Sequence, residues 1–335
     1  MLLFGGESSE HEISISSARN VFAALDDTKY DVILCHIDRF GKWWLVDNMS
    51  DPIDVSSASQ LLPELGMGSF IASISRERIV PDVILPILHG ANGEDGTVQG
   101  LAKLTHIPIV GCRVESSAVT MDKVTTKQLL EYNSIKIVPF KVHLAGDIYI
   151  SFQQLSSELG SPLFIKPANG GSSVGNSKVT NDEELSVALD EAHKHDQKVL
   201  IETAVNAREL EVSVLGSGKT VKVSGAGEIK PDREFYDYES KYDSASQTQV
   251  IIPADIPAET SEKIKSIALR AYNILGCTGL SRVDFFLSES GELYLNEVNT
   301  LPGFTNISMY PKLWRQEGLN YSGLIDALIA DALEK

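Results

Sequence analysis

Positive charge is what this sequence is short of. Lysine and arginine number 29 against 46 aspartates and glutamates, a formal net charge of −17 over 335 residues. A nucleic-acid binder needs a basic face to neutralise phosphates, so that class is set aside. Long apolar runs are also missing: none reaches the roughly 20 residues of a membrane helix. The start, MLLFGGESSEHE, has neither the basic segment nor the apolar length of a signal peptide. A cytoplasmic protein without membrane partners is therefore expected. Cysteine is scarce, and Cys35, Cys112 and Cys277 stand apart among apolar neighbours with no CxxC or Cys/His ligand spacing. Buried free thiols are expected rather than a disulfide framework or a zinc site. Internal repeats and low-complexity tracts are absent as well.

What remains is α/β in pattern, with apolar strands alternating with amphipathic helices. LLFGG reads as a short first strand ending in a glycine turn, followed by a helix containing SSARNVFAAL. DVILCHI, DVILPIL and IPIVG are short β-rich runs of the kind found in buried parallel strands. Residues 1–111 are read as a doubly wound α/β domain. Ser116 to Tyr132 reads as one helix. PLFIKPA, KVLIETAV, RELEVSVLG and TVKVSGAGEI are longer strands that suggest antiparallel sheet. A long helix in SEKIKSIALRAYNIL, a hairpin turning at Glu289-Ser290-Gly291, and a closing helix in SGLIDALIADAL complete the chain. Boundaries are expected near residues 111 and 205.

Because the chain is acidic, any polyphosphate ligand would need a few cations focused at its site. Lysines inside apolar or glycine-rich surroundings are therefore the informative ones. Lys166 ends the apolar run PLFIK, where an unpaired ammonium is costly and should meet an anion. The loop PANGGSSVG follows it. Its backbone amides from Gly170 to Ser173 can form a nest for phosphate oxygens, with Ser172 and Ser173 adding hydroxyl donors. Lys123, in MDKVTTK, offers a second cation.

An acid cluster accompanies them. Alternate residues of a strand share a face, so Glu297 and Asn299 of NEVNT point the same way, and Asp284 on the partner strand can face them. Two carboxylates and an amide oxygen suit Mg²⁺, a hard cation that prefers oxygen ligands. Arg282, two residues before Asp284, can stabilise an oxyanion or a transferring phosphoryl group, or simply pair with one of the acids. Gly303 in LPGFT permits close backbone approach, and Ser308 suits either a carboxylate or a helix N-cap. Glu202 and Glu209 are candidates for an adenine edge and ribose hydroxyls. His89, at the end of a buried strand, and Glu10, after the first one, face the carboxyl ends of the strands, where open α/β sheets bind ligands. Glu94 and Asp95 read instead as dipole partners of a helix starting near Asp95. LGSGKT is not a P-loop: the required glycine position holds Ser213. It reads as a hairpin turn. Together, the lysines, the loop and the acids favour a nucleoside triphosphate with Mg²⁺.

GGESSEHEIS, HGANGEDGTVQG, MDK, IKPANGGSSVG, ESKY, RVDFF and NEVNTLPGFTNISMYP occur in order across nearly the whole chain. In these motifs the sequence resembles the D-alanine–D-alanine ligases of the ATP-grasp superfamily. The resemblance implies an α/β (α+β) ATP-grasp fold in three domains. These would be an N-terminal substrate domain over 1–111, a central one over 112–205 with the phosphate loop at 167–179, and a C-terminal one over 206–335 with the metal site and an ω-type loop at 232–250. It implies ATP with two Mg²⁺ or Mn²⁺ ions, a cytoplasmic homodimer, and a dipeptide product for peptidoglycan synthesis. By the same resemblance, Lys123, Lys166, Ser172, Ser173 and Lys241 would hold phosphates, with Glu202 near adenine and Glu209 near ribose. Asp284, Glu297 and Asn299 would hold metal, and Arg282 and the Gly303 amide would serve an oxyanion. Glu10, with His89 nearby, would bind the first amino acid and Ser308 the second, while Glu10, Ser172 and Tyr242 would form a triad closing the site. Tyr242 after Lys241 favours D-alanine over D-lactate as acceptor. A related ATP-grasp ligase using D-serine or D-lactate as second substrate and a non-catalytic ATP-binding regulator stand as alternatives.

Overall fold

The structure is a computed structural model that describes residues 1–171, 174–230, 248–305 and 307–334. Among them, three sheets follow one another along the chain. The first has seven strands: β1 (Leu2–Gly5), β2 (Leu34–Ile37), β3 (Trp43–Val46), β4 (Ser59–Glu64), β5 (Ser69–Ala72), β6 (Arg78–Ile79) and β7 (Leu85–Ile87), in the order β6-β5-β4-β3-β2-β1-β7. The three apolar strands β2, β1 and β7 run parallel, and β3 to β6 continue the sheet as an antiparallel meander. That extension was not apparent from the apolar runs, because WWLV of β3 and SFIA of β5 are only four residues each and β4 and β6 are half-polar. IPIVG, expected as a strand, contributes one parallel bridge, Ile84 to Ile109.

Helices cover both faces of this sheet. Leu2, Phe4 and Leu34 pack against α1 (His11–Ala24), and Leu3 and Cys35 pack with Val98 and Ala102 of α2 (Thr97–Thr105). The turn out of β1 depends on glycine. Gly5 has φ +95°, and a Cβ there would stand 2.1 Å from the Ile37 carbonyl oxygen. The tight exit directs the chain into α1 and leaves Glu10 at the helix start.

The stretch read as one helix is two: α3 (Val114–Met121) and α4 (Lys123–Tyr132). Asp122 breaks it. Its backbone is extended and its carboxylate accepts from the amides of Val124 and Thr125, an N-cap in mid-pattern. Lys123 thus becomes the first residue of α4.

The second sheet has the order β10-β9-β11-β8, from β8 (Phe140–Leu144), β9 (Leu163–Pro167), β10 (Ser177–Val179) and β11 (Lys198–Thr203), all antiparallel. Leu163, Ile165, Val199 and Ile201 form one core with α5 (Phe152–Leu159) and α6 (Asp182–Ala192). The opposite face carries Leu200 against Val124 of α4.

The third sheet holds β12 (Ala207–Leu215), β13 (Lys222–Val223), β14 (Gly227–Lys230), β15 (Gln249–Ile251), β16 (Leu280–Ser288) and β17 (Leu293–Asn299). Its order is β15-β14-β12-β16-β17, with β13 also paired to β12. LGSGKT forms the turn between β12 and β13, as expected. Leu210, Val212, Val283, Phe285, Leu293 and Leu295 pack beneath α7 (Ala258–Ile274), and Cys112 and Cys277 are buried free thiols in this core.

The chain then returns to its beginning. After α8 (Met309–Gln316), helix α9 (Tyr321–Leu333) packs Leu324, Ile325, Leu328 and Ile329 into the core of Leu2, Phe4 and Ile15. The last helix therefore staples the third sheet to the first. Leu328 is 1% exposed within that cluster. Leu328→Ala should cost about 2–5 kcal/mol of unfolding free energy in urea denaturation. A loss below ~0.5 kcal/mol would mean the helix is not an integral part of that core.

Candidate active site

The polar face of the third sheet carries two aligned rows. The first is Glu211, Asp284 and Glu297, opposite one another across β12, β16 and β17; the second is Ser213, Arg282 and Asn299. A register shift next to Asp284 makes this possible. Leu293 and Leu295 face the core, and strict alternation would send Glu297 and Asn299 after them. The bulge at Asn296 inverts the parity, so Val298 turns inward and Glu297 and Asn299 join Asp284.

Arg282 binds Asp284 through two bonds, Nε to Oδ1 at 2.7 Å and a terminal nitrogen to Oδ2 at 2.6 Å. Its Nε also lies 3.0 Å from Glu211 Oε2. Burial would lower the guanidinium pKa, but Asp284 and Glu211 raise it well above its ordinary value. The Asn299 amide donates to Asp284 Oδ2 at 3.0 Å and to Glu297 Oε1 at 3.4 Å. Within the two rows, three carboxylates accompany one guanidinium. Carboxylate oxygen donors fit a hard divalent cation. Among the described residues no three His, Cys, Asp or Glu side chains are grouped to hold a metal. In this set the third donor is an amide.

The second cluster lies on the second sheet under α4. Glu202 of β11 is 2% exposed and sits between two ammoniums. Lys166 of β9 pairs with its Oε1, and Lys127 of α4 lies 2.9 Å from its Oε2, off the ideal hydrogen-bond angle. Burial would push the Glu202 carboxyl up, but Lys127 and Lys166 outweigh it and hold the pKa at about 2. The anion that Lys166 meets within the chain is therefore Glu202.

Lys123 joins the clusters. Its ammonium donates to the Gly170 carbonyl in the glycine-rich loop, and its amide donates to Ala168 at 3.0 Å. Burial lowers its pKa, while Glu297, Glu94 and Glu202, one from each of the three sheet regions, pull it back up.

The third group surrounds Glu10, which is 8% exposed at the start of α1 and makes no capping bond. A Cβ built on Gly171 would lie 3.5 Å from Glu10 Oε2, so the loop reaches this carboxylate. Ser8 Oγ donates to the His89 carbonyl at 2.7 Å and accepts from the Glu10 amide at 3.2 Å. His89 Nδ1 lies 3.7 Å from Glu94 Oε1. Burial would lower the His89 pKa, but Glu94 and Glu10 raise it; burial first, then Glu10, raises that of Glu94. This corrects the reading of Glu94 as a helix-dipole partner. Asp95 alone serves the turn, accepting from the amides of Asn92 and Thr97. Glu94 turns inward because His89 is there.

Ser308 occupies the N-cap position of α8 without capping it. Its hydroxyl accepts from the Thr305 amide at 3.0 Å, and a Cβ on Gly303 would stand 2.8 Å from that oxygen, so the two positions adjoin. Glu209 shares a face with Glu211, two residues along β12. Ser172, Ser173, Lys241 and Tyr242, and most of the 232–250 loop, lie outside the described residues. Sequence reasoning missed Lys127, Glu211 and Glu94. The first two had a signal: Lys127 is four residues after Lys123 on a helix, and Glu211 two after Glu209 on a strand.

Lys127→Met leaves Glu202 with one partner and should destabilise the fold by on the order of 3 kcal/mol. The sign with pH follows from the lowered Glu202 pKa. Its stabilisation is present above the unfolded value near 4.5 and is lost as pH falls toward 2. The variant should lose part of this acid dependence in melting curves between pH 3 and 7; curves parallel to the parent's would refute the pairing.

Two family sequence models match, the D-ala D-ala ligase N-terminus over residues 1–112 and the D-ala D-ala ligase C-terminus over 129–330. D-alanine–D-alanine ligase A of Escherichia coli (strain K12) is 44% identical over 347 residues, covering 100% of this chain and 95% of that protein. The protein of the same name from Chromobacterium violaceum is 45% identical over 350 residues, covering 100% and 94%. Among solved structures, the D-alanine-D-alanine ligase from Coxiella burnetii superposes with a TM-score of 0.89 at 35% identity, covering 99% of this chain and 93% of that one. The VanG D-Ala:D-Ser ligase from Enterococcus faecalis gives 0.87 at 35% identity, covering 98% and 97%. Matched at both ends by the family's models and along its whole length by such relatives, this ATP-grasp chain belongs to the D-alanine–D-alanine ligase family.

Proposed function

We propose that this protein joins two D-alanines into D-alanyl-D-alanine with ATP, through an acyl phosphate. The observation that carries the reading is the convergence on Lys123 of the acid rows, the Glu202 cluster and the glycine-rich loop, beside Glu10. A carboxylate is a poor electrophile, and a site that holds a triphosphate next to an amino-acid pocket can activate it.

In the first step a carboxylate oxygen of the first D-alanine attacks the γ-phosphorus, and the bond to the β–γ bridging oxygen breaks to release ADP. In the second, the amine of the second D-alanine attacks the acyl carbon, sheds a proton, and expels phosphate. Glu10 holds the first ammonium with His89 nearby, and Ser308 takes the second carboxylate. Lys123, Lys166, Lys241, Ser172 and Ser173 hold phosphates, with Glu202 toward adenine and Glu209 toward ribose. Arg282 and the Gly303 amide stabilise the tetrahedral oxyanion. Asp284, Glu297 and Asn299 would hold two Mg²⁺ ions, or Mn²⁺, which neutralise charge on the transferring phosphoryl group. Glu10, Ser172 and Tyr242 close the site. No side chain is required as a covalent nucleophile.

The reading carries a three-domain division at 1–111, 112–205 and 206–335, a homodimer, and a cytoplasmic location. Among the described residues no helix is long and apolar enough to cross a membrane. The likeness to a D-Ala:D-Ser ligase keeps D-serine as a second acceptor to be tested. A hydroxyl is weakly discriminated by pocket shape alone.

Phosphate release with ATP, Mg²⁺ and a panel of D- and L-amino acids and D-lactate tests the proposal. Release should require D-alanine and yield the dipeptide; none with D-alanine overturns it, and equal turnover with D-lactate overturns the assignment of Tyr242 as selector. Asn299→Ala should raise the Mg²⁺ concentration for half-maximal rate about tenfold or more while the melting curve stays put. An unchanged Mg²⁺ dependence would remove Asn299 from the metal set.

A further inference from the structure

The structure assigns a positioning role to Asp196: it clasps Asn169 and so sets where the glycine-rich loop begins. Asp196 is in the turn between α6 and β11, outside every group described above. Its Oδ2 accepts twice from Asn169, from the backbone amide at 2.7 Å and from the side-chain Nδ2 at 2.8 Å. Asn169 is the residue immediately before Gly170, whose carbonyl Lys123 holds, and Gly171, which approaches Glu10. A shift at Asn169 is therefore passed to both.

The carboxylate is itself held. Its Oδ1 accepts from the Lys198 amide at 3.1 Å, and its carbonyl faces His193 Nδ1 at 3.1 Å. His143 Nδ1 lies 2.9 Å from His193 Nε2. A carbonyl only accepts, so His193 donates to it from Nδ1, and His193 Nε2 and His143 Nδ1 share the second contact. The pair braces the turn from behind. Two residues on, the Lys198 ammonium pairs with Asp122, the N-cap of α4, and the Lys198 carbonyl accepts from the Ala168 amide at 2.9 Å. The turn over residues 196–198 therefore ties the first residue of the loop and the helix that presents Lys123 to one rigid point. A bond that fixes two phosphate-facing groups relative to each other lowers the ordering cost of binding rather than adding a contact to the ligand.

The inference rests on the reading of this loop as the ATP site. Mg²⁺-ATP is titrated calorimetrically into the full chain without amino acid, and KM for ATP, KM for D-alanine and kcat are measured alongside. Asp196→Ala loses three charge-assisted bonds at a part-exposed site, two from Asn169 and one from the Lys198 amide, and should bind ATP about tenfold more weakly, with KM for ATP raised to match and kcat changed less than about threefold. Asp196→Asn keeps an acceptor oxygen and should recover part of the affinity. Asn169→Ala should add little once Asp196 is alanine. If the parent binds ATP and Asp196→Ala binds it equally, the clasp is wrong and the loop reading stands. If the parent does not bind ATP, both fall. A general loss, with the melting temperature, KM for D-alanine and KM for ATP all worsened alike in both Asp196 variants, would reduce Asp196 to a fold-stabilising residue and overturn its positioning role.

Discussion

An ammonium drawn out of water must be compensated, and the site of this protein is organised around that requirement at Lys123. Burial lowers its pKa, and carboxylates from three separate sheet regions oppose the loss. None of the three is adjacent to it in sequence. The arrangement holds only if the turn that leaves the first sheet supplies Glu94, the second sheet Glu202 and the third Glu297, so the charge balance of one lysine couples the packing of all three sheets. The C-terminal helix serves the same end mechanically, by seating its apolar face in the core of the first strand and helix.

Among the described residues the cations of the site are few, and each is paired with groups of the protein itself. Lys166 and Lys127 share Glu202, and Arg282 is held by Asp284 and Glu211. This pre-pairing keeps the groups in place at a cost. A polyphosphate would compete with Glu202 for Lys166, and a divalent cation would compete with Arg282 for Asp284. A preorganised site avoids the penalty of ordering long side chains during binding. In exchange, affinity depends on the difference between two sets of charge contacts.

The shared face of the acid cluster was legible in sequence because strand periodicity is a strong signal. Asp284, Glu297, Asn299 and Arg282 could be put on one face from alternation, and the facing register bears that geometry out. The reason it holds is subtler than alternation, since the bulge at Asn296 turns Glu297 and Asn299 away from the core side that Leu293 and Leu295 define. The helix break at Asp122 was not foreseen, because Ser116 to Tyr132 has continuous helical character and only the cap geometry divides it. Glu94 was misread for a related reason. An acid before a helix is usually a dipole partner, and only the tertiary approach of His89 draws it inward.

By itself, the sequence determined the alternation of strands and helices, the apolar faces, and the order of the motifs that carry the family resemblance. All of these depend on local residue type and spacing. Tertiary structure decided which charges meet. Lys127 with Glu202, Arg282 with Glu211, Lys123 with Gly170 and Asp196 with Asn169 join residues from 27 to 75 positions apart. No periodicity reports such pairs, because pairing depends on how sheets and helices pack, and burial then makes the pairing obligatory.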